Sequence, residues 1–316
     1  MEPWIPTFSD IEKAHERIKK FIHQTPVLTS SAINAMVGTD CFFKCENFQK
    51  VGAFKFRGAT NAVLSLNEAA AKNGVATHSS GNHAAALALA AKTRGIPAYI
   101  VMPENSPEIK KKAVEGYGGR ITFCEPTLKA RENTLNQVVK ETGATFIHPY
   151  DNFSIIAGQG TAALELLDEI SDLDSLIVPV GGGGLLSGSA ITAKHTHPTL
   201  EVIAAEPKGA DDAWQSFRSG RIIPSVTPHT IADGLLTSLS QRTFEVIQTH
   251  VNDILTVKEE SIVSAMRLIW ERMKTIVEPS AAVTLALILE NKKMFKNKKI
   301  GLILSGGNVD LNRLPF

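Results

Sequence analysis

Lys55 lies in Glu46-Asn-Phe-Gln-Lys-Val-Gly-Ala-Phe-Lys-Phe-Arg-Gly-Ala59, between Phe54 and Phe56, with Gly52 and Gly58 three residues away on either side. An amine drawn into apolar surroundings loses stabilisation of its charged form. Its pKa then falls below the usual ~10.4, and it becomes a nucleophile able to condense with an aldehyde. A lysine at a partly apolar helix start can also extend its ammonium into water. Lys55 alone therefore decides nothing.

Three other stretches could work with it. Val180-Gly-Gly-Gly-Gly-Leu-Leu-Ser-Gly188 follows an apolar run and opens a helix. Consecutive glycines let main-chain N–H groups converge on an anion, and the helix dipole favours negative charge there. The run is a phosphate cradle without the Gly-Lys-Ser/Thr of a P-loop. It could instead open a dinucleotide-binding unit, with Glu206 at the end of the next strand meeting a ribose hydroxyl; a dinucleotide-dependent oxidoreductase is the alternative from a different class. Thr77-His-Ser-Ser-Gly-Asn-His83 also joins a strand to a helix. Ser79 or Ser80 there could cap the helix, and the same hydroxyls and N–H groups suit a carboxylate. Leu304-Ser-Gly-Gly-Asn-Val-Asp310 follows an apolar strand in the same way.

The elements that must position these loops alternate along the chain. β-Branched runs at 74–78, 98–102, 120–124, 145–148, 175–180, 201–206, 253–257 and 299–304 are predicted strands. Helical spacing covers 82–94, 107–117, 158–170, 259–273 and 279–289, and Ser9-Asp-Ile-Glu12 reads as a capping box that opens the first helix. This rhythm predicts an α/β fold of two open, twisted parallel-sheet domains with helices on both faces. Residues 1–72 and 150–316 form a large domain and 73–149 a smaller inserted one. Ligands of such sheets bind beyond the carboxyl ends of the strands, where all three loops fall.

At 316 residues, 43% apolar and 21% charged, with a net charge of +1, the composition gives no reason to expect nucleic acid or an anionic membrane as a partner. No apolar run is long enough to span a bilayer. The N-terminal residues have neither a basic start nor an apolar signal core, so a cytoplasmic location is expected. Cys41 and Cys45 share one face of a predicted strand and read as small buried hydrophobes.

The four motifs, in this order, closely resemble the serine racemase and serine/threonine dehydratase group of pyridoxal-phosphate enzymes, which has the tryptophan-synthase-β fold. The resemblance spans almost the whole chain. It implies that Lys55 binds the cofactor aldehyde, Phe54 packs near the cofactor, and Asn82 bonds the pyridine 3-hydroxyl. Gly181, Gly182, Gly183, Gly184 and Leu185 bind the phosphate. Ser305 faces the pyridine nitrogen, and a neutral hydroxyl there favours β-elimination over transamination. The substrate carboxylate meets Ser79, Ser80, Gly81, Asn82 and His83, with Arg131 as a nearby cation.

The resemblance further implies that Lys55 moves the α-proton on one face and Ser80 on the other, the arrangement racemisation needs. The products would be the inverted amino acid or, by loss of the β-hydroxyl, a keto acid and ammonia. Threonine or threo-3-hydroxyaspartate is the alternative substrate. A divalent cation, Mg²⁺ or Ca²⁺, would be held by Glu206, the Ala210 carbonyl and Asp212, and the enzyme would be a homodimer. Ala85 stands where nucleotide-activated relatives carry glutamine, which argues against ATP activation. Pro149-Tyr-Asp151 resembles microbial members of the group.

Overall fold

The computed structural model describes residues 4–316. Ten strands are present: β1 (Val27–Leu28), β2 (Asp40–Cys45), β3 (Val75–His78), β4 (Ala98–Pro103), β5 (Arg120–Cys124), β6 (Thr145–Phe146), β7 (Ser175–Pro179), β8 (Glu201–Pro207), β9 (Asp253–Val257) and β10 (Lys299–Leu304). They form two sheets, one of six strands in the order β1-β2-β10-β7-β8-β9 and one of four in the order β5-β4-β3-β6. Every pairing is parallel except β1 with β2. This is the α/β architecture of two parallel-sheet domains that the alternating pattern predicts.

The central strands are apolar because both faces are covered. All five residues of β7 are buried, and the helices on its two sides, Gly184–Thr196 and Pro279–Glu290, are themselves almost wholly buried. The helix Phe153–Glu169 begins five residues before the predicted 158. Asn152 caps it by accepting the Ile155 N–H at 3.0 Å. It crosses the helix Lys55–Ser65 at a glycine pair, where a Cβ on Gly158 would lie 2.6 Å from the Gly58 Cα. Only glycine permits that approach, and it brings the helix that starts at Lys55 down onto the body of the large sheet.

A buried ion cluster ties the same elements together. Arg57 bonds Glu46 at 2.7 Å and Glu165 at 2.7 Å, and Lys44 adds a 2.7 Å bond to Glu165. The two cations and two carboxylates balance, which is what permits full burial.

Two further expectations require correction. The first helix, Phe8–Ile18, is capped by Thr7 rather than Ser9: the Asp10 carboxylate accepts the Thr7 N–H at 2.9 Å and its hydroxyl at 2.7 Å. Phe8 packs against the cluster of Ile11 and Ala157, so the helix has to include it. Strand β6 stops at Phe146, leaving His148 in a turn beyond it. Cys41 and Cys45 are fully buried, and burial pushes both thiols up to about 12, leaving them inert apolar side chains.

Candidate active site

Lys55 opens its helix and is half-buried. Its Nζ donates to the Pro149 carbonyl at 2.9 Å and lies 5.1 Å from the Phe54 ring centroid. Removal from water lowers its pKa to about 8, with the Glu278 carboxylate opposing the shift. The end of β10 holds the backbone before it: Phe54 N–H donates to the Ser305 carbonyl at 2.9 Å, and Ala53 bridges Gly306. Ser305 itself is 2% exposed.

The glycine run leaves β7 and turns sharply into the helix Gly184–Thr196. Gly183, the residue before that helix, sits at φ 86°, which strongly favours glycine. Tyr150 walls the turn, since a Cβ on Gly182 would meet the tyrosine ring at 2.4 Å. Pro149 and Tyr150 are adjacent, so the acceptor of Lys55 and the wall of the glycine turn belong to one segment. The free N–H groups of this helix start form a cradle open to an anion.

Asn82 begins the helix Asn82–Arg94. Its Oδ1 accepts from Asn308 Nδ2 at 2.9 Å, and its Nδ2 donates to Glu278 at 3.0 and 3.2 Å. With those partners in place, the second hydrogen on Nδ2 is free for another acceptor. Glu278 also accepts the Asn308 N–H at 3.2 Å, and burial pushes its carboxyl up to about 7. Neither Glu278 nor Asn308 has a role in the sequence-level reading. Asn308 stands inside Leu304-Ser-Gly-Gly-Asn-Val-Asp310, but Glu278 precedes the helix Pro279–Glu290 and carries no local signature.

In the serine loop, Ser79 Oγ accepts the Gly81 N–H at 3.4 Å, and Ser80 and Gly81 are partly exposed. His83 is 2% exposed and 3.2 Å from the Ile147 carbonyl through Nε2, and burial beside Lys55 lowers its pKa to about 3. A neutral ring with its N–H directed at Ile147 has no proton for a carboxylate. What residue 83 offers there is its main-chain N–H at the helix start. Arg131 makes no hydrogen bond to residues 79–83 among the described residues; burial, and after it the charge of Arg131, lowers the pKa of His78, just before the loop.

Glu206 ends β8, is 1% exposed, and accepts the N–H groups of Ala213 at 2.9 Å and Trp214 at 2.8 Å. Burial pushes Glu206 up to about 9 and Asp212 up to about 6, and Asp212 Oδ2 is buried without a partner. Two buried carboxylates held off their ordinary range, one with an orphaned oxygen, fit a hard divalent cation. No group of three or more metal-binding side chains occurs among the described residues, so a main-chain oxygen such as that of Ala210 would have to complete the set.

The profile of pyridoxal-phosphate dependent enzymes matches residues 18–306. The chain is 51% identical over 313 residues to a beta-hydroxyaspartate dehydratase of Paracoccus denitrificans, covering 99% of each chain. It is also 51% identical over 321 residues to a serine racemase of Dictyostelium discoideum, covering 99% of this chain and 98% of the relative. The solved structure of maize serine racemase superposes with a TM-score of 0.96 at 48% identity, over 98% of this chain and 95% of that one.

Proposed function

Because the chain belongs to the family of pyridoxal-phosphate dependent enzymes, we propose that it racemises serine and also dehydrates it to pyruvate and ammonia. The observation that carries this reading is the amine of Lys55, held at 2.9 Å by Pro149 with its pKa lowered to about 8. At pH 7.5 roughly a quarter of such an amine is neutral, against roughly 0.1% for an ordinary lysine. That fraction suits both condensation with an aldehyde and removal of a proton.

The residues around Lys55 suit this cofactor. Gly181 to Leu185 would hold its phosphate through main-chain N–H groups, a reading supported by the left-handed Gly183 and by the Tyr150 ring, which leaves no room for a side chain at Gly182. Asn82 would give its free Nδ2 hydrogen to the 3-hydroxyl, Ser305 would face the pyridine nitrogen, and Phe54 would pack alongside. Bound pyridoxal phosphate supplies an electron sink for the pair left on Cα.

The chain's own groups do the rest. The loop 79–83 receives the substrate carboxylate through hydroxyls and helix-start N–H groups, with Arg131 adding positive charge behind it. Lys55 Nζ takes the α-proton on one face, and the Ser80 hydroxyl delivers a proton on the other. When the β-hydroxyl departs before that delivery, the outcome is elimination. The four-stranded unit, residues 73–149, thus handles the substrate, and residues 1–72 and 150–316, joined by Asn82 from the smaller unit, hold the cofactor. Glu206, Ala210 and Asp212 would hold Mg²⁺ or Ca²⁺ through hard oxygen donors.

A cytoplasmic homodimer acting on a free amino acid, without ATP control, completes the reading. No described helix is long and apolar enough to cross a membrane.

Identity alone does not rank the substrates, because a dehydratase and a racemase match this chain equally at 51%. Threo-3-hydroxyaspartate or threonine is therefore the second reading. D-Serine formation and keto acid release, measured side by side from serine, threonine and hydroxyaspartate, separate the two. Ser80→Ala is expected to cut D-serine formation at least tenfold while L-serine elimination persists. Equal loss of both would refute the division of labour between Lys55 and Ser80.

A further inference from the structure

Among the described residues, Lys55 Nζ has one hydrogen-bond partner, the Pro149 carbonyl, whose direction needs a cause. The explanation lies one residue earlier. His148 Nδ1 accepts two main-chain N–H groups, from Asp151 at 2.9 Å and from Tyr150 at 3.3 Å. The two bonds fold the turn back over the imidazole and fix the peptide planes on either side of Tyr150, the first of which carries the Pro149 carbonyl. The ring also meets Tyr150 edge-on, with centroids 4.5 Å apart and planes at 88°. Tyr150 in turn walls the glycine turn at Gly182 and Gly184.

We propose that His148 is a positioning residue for the reacting amine: through its Nδ1 lone pair it shapes the turn that aims the Pro149 carbonyl at Lys55 and the Tyr150 ring at the glycine cradle. The inference rests on the reading of Lys55 as the cofactor-binding amine. Its core is geometric, because a nitrogen that accepts two N–H groups carries no proton itself. The imidazole is therefore neutral, with its single hydrogen on Nε2. The surroundings maintain that state. Burial lowers the pKa of His148 to about 4, and His78, Lys55 and Arg242 face it with positive or potentially positive charge, while Asp151 adjoins it. A ring kept neutral across the working pH range does not itself shuttle protons. It serves as a fixed acceptor.

The test exploits the shapes of the two amides. The Asn Oδ1 can occupy the place of Nδ1, whereas the Gln amide reaches the place of Nε2. His148→Asn is expected to keep the kcat of serine deamination within about fivefold of wild type. His148→Gln and His148→Leu are expected to lose ten- to a hundredfold in kcat, with the KM for serine changed less than threefold. A second readout needs no turnover: the rate at which apoprotein and added pyridoxal phosphate form the visible adduct with Lys55 should fall in His148→Gln and His148→Leu and hold in His148→Asn. Thermal midpoints of the Asn and Gln variants should agree within a few degrees.

If Gln rescues as well as Asn, or if the Leu variant forms the adduct at the wild-type rate, the inference is overturned. Should the Leu variant fail to fold, the Asn and Gln pair still decides. A wild-type protein that forms no adduct at all would instead refute the underlying reading of Lys55, so the two failures are distinguishable.

Discussion

The chemistry at the residue scale is set by how little water Lys55 meets. Burial brings its amine down to about 8 against the opposing pull of Glu278, while exposed lysines stay near ~10.4. In the apoprotein, acylating reagents should label Lys55 with a pH midpoint near 8, and the peptides of surface lysines should respond only about two pH units higher. Mass spectrometry of the labelled digest reads both at once, and a midpoint of 10 for Lys55 would contradict the burial argument. The residue types were legible in the sequence, because Lys55 stands among aromatic and glycine neighbours. What sequence could not supply is the other end of its hydrogen bond, since Pro149 is 94 residues away. Glu278 was missed for the same reason: its place beside Asn82 follows from two sheets meeting, and no local pattern marks it.

Among the elements, the strand-to-helix turns carry the site, and their geometry was largely readable. Apolar runs closed by glycines locate β7 and the Gly183 turn, and seven of the eight predicted strands lie within a residue of their predicted ends. The exceptions have physical causes. Strand β6 is cut short because His148 spends its ring on capping a turn, and the helix 153–169 starts early because Asn152 caps it. Substituting Gly182 tests the cradle as an element. In Gly182→Ala the new methyl meets the Tyr150 ring at 2.4 Å, and that ring is already packed against His148. Overpacking of this kind costs about 1–3 kcal/mol. Affinity for pyridoxal phosphate should fall about tenfold or more by fluorescence titration, with the far-UV circular dichroism unchanged. Undiminished affinity would remove the cradle from the site.

Across the whole molecule, the two units share an apolar cluster, in which Phe56, Ala59 and Ile155 pack with Ala84, Leu87 and Ile147, and polar bonds join them beside it. Asn82, from the unit built on the four-stranded sheet, reaches Glu278 and Asn308 on the larger one. Lys110 makes a 2.7 Å ion pair with Asp233 across the same divide. Burial is the main reason that Glu278 holds its proton up to about 7, well above the 4.5 of a free carboxyl. The folded protein therefore binds a proton that the unfolded chain has already released, and stability falls as pH rises from about 4.5 to about 7. Removing that group should flatten the dependence. Between pH 5 and 8, Glu278→Gln should lose on the order of 2 kcal/mol less stability than wild type, measured by urea unfolding at each pH. Identical slopes would mean that Glu278 is ionised throughout.

Lys55 is anchored to the end of β10 through Phe54 and Ser305, whereas Ser80 follows β3 of the other sheet. The two groups proposed to handle the α-proton thus ride on different bodies. The handedness of the product then becomes a mechanical quantity: it depends on how the smaller sheet, which also carries the carboxylate loop 79–83, seats its serine opposite the amine.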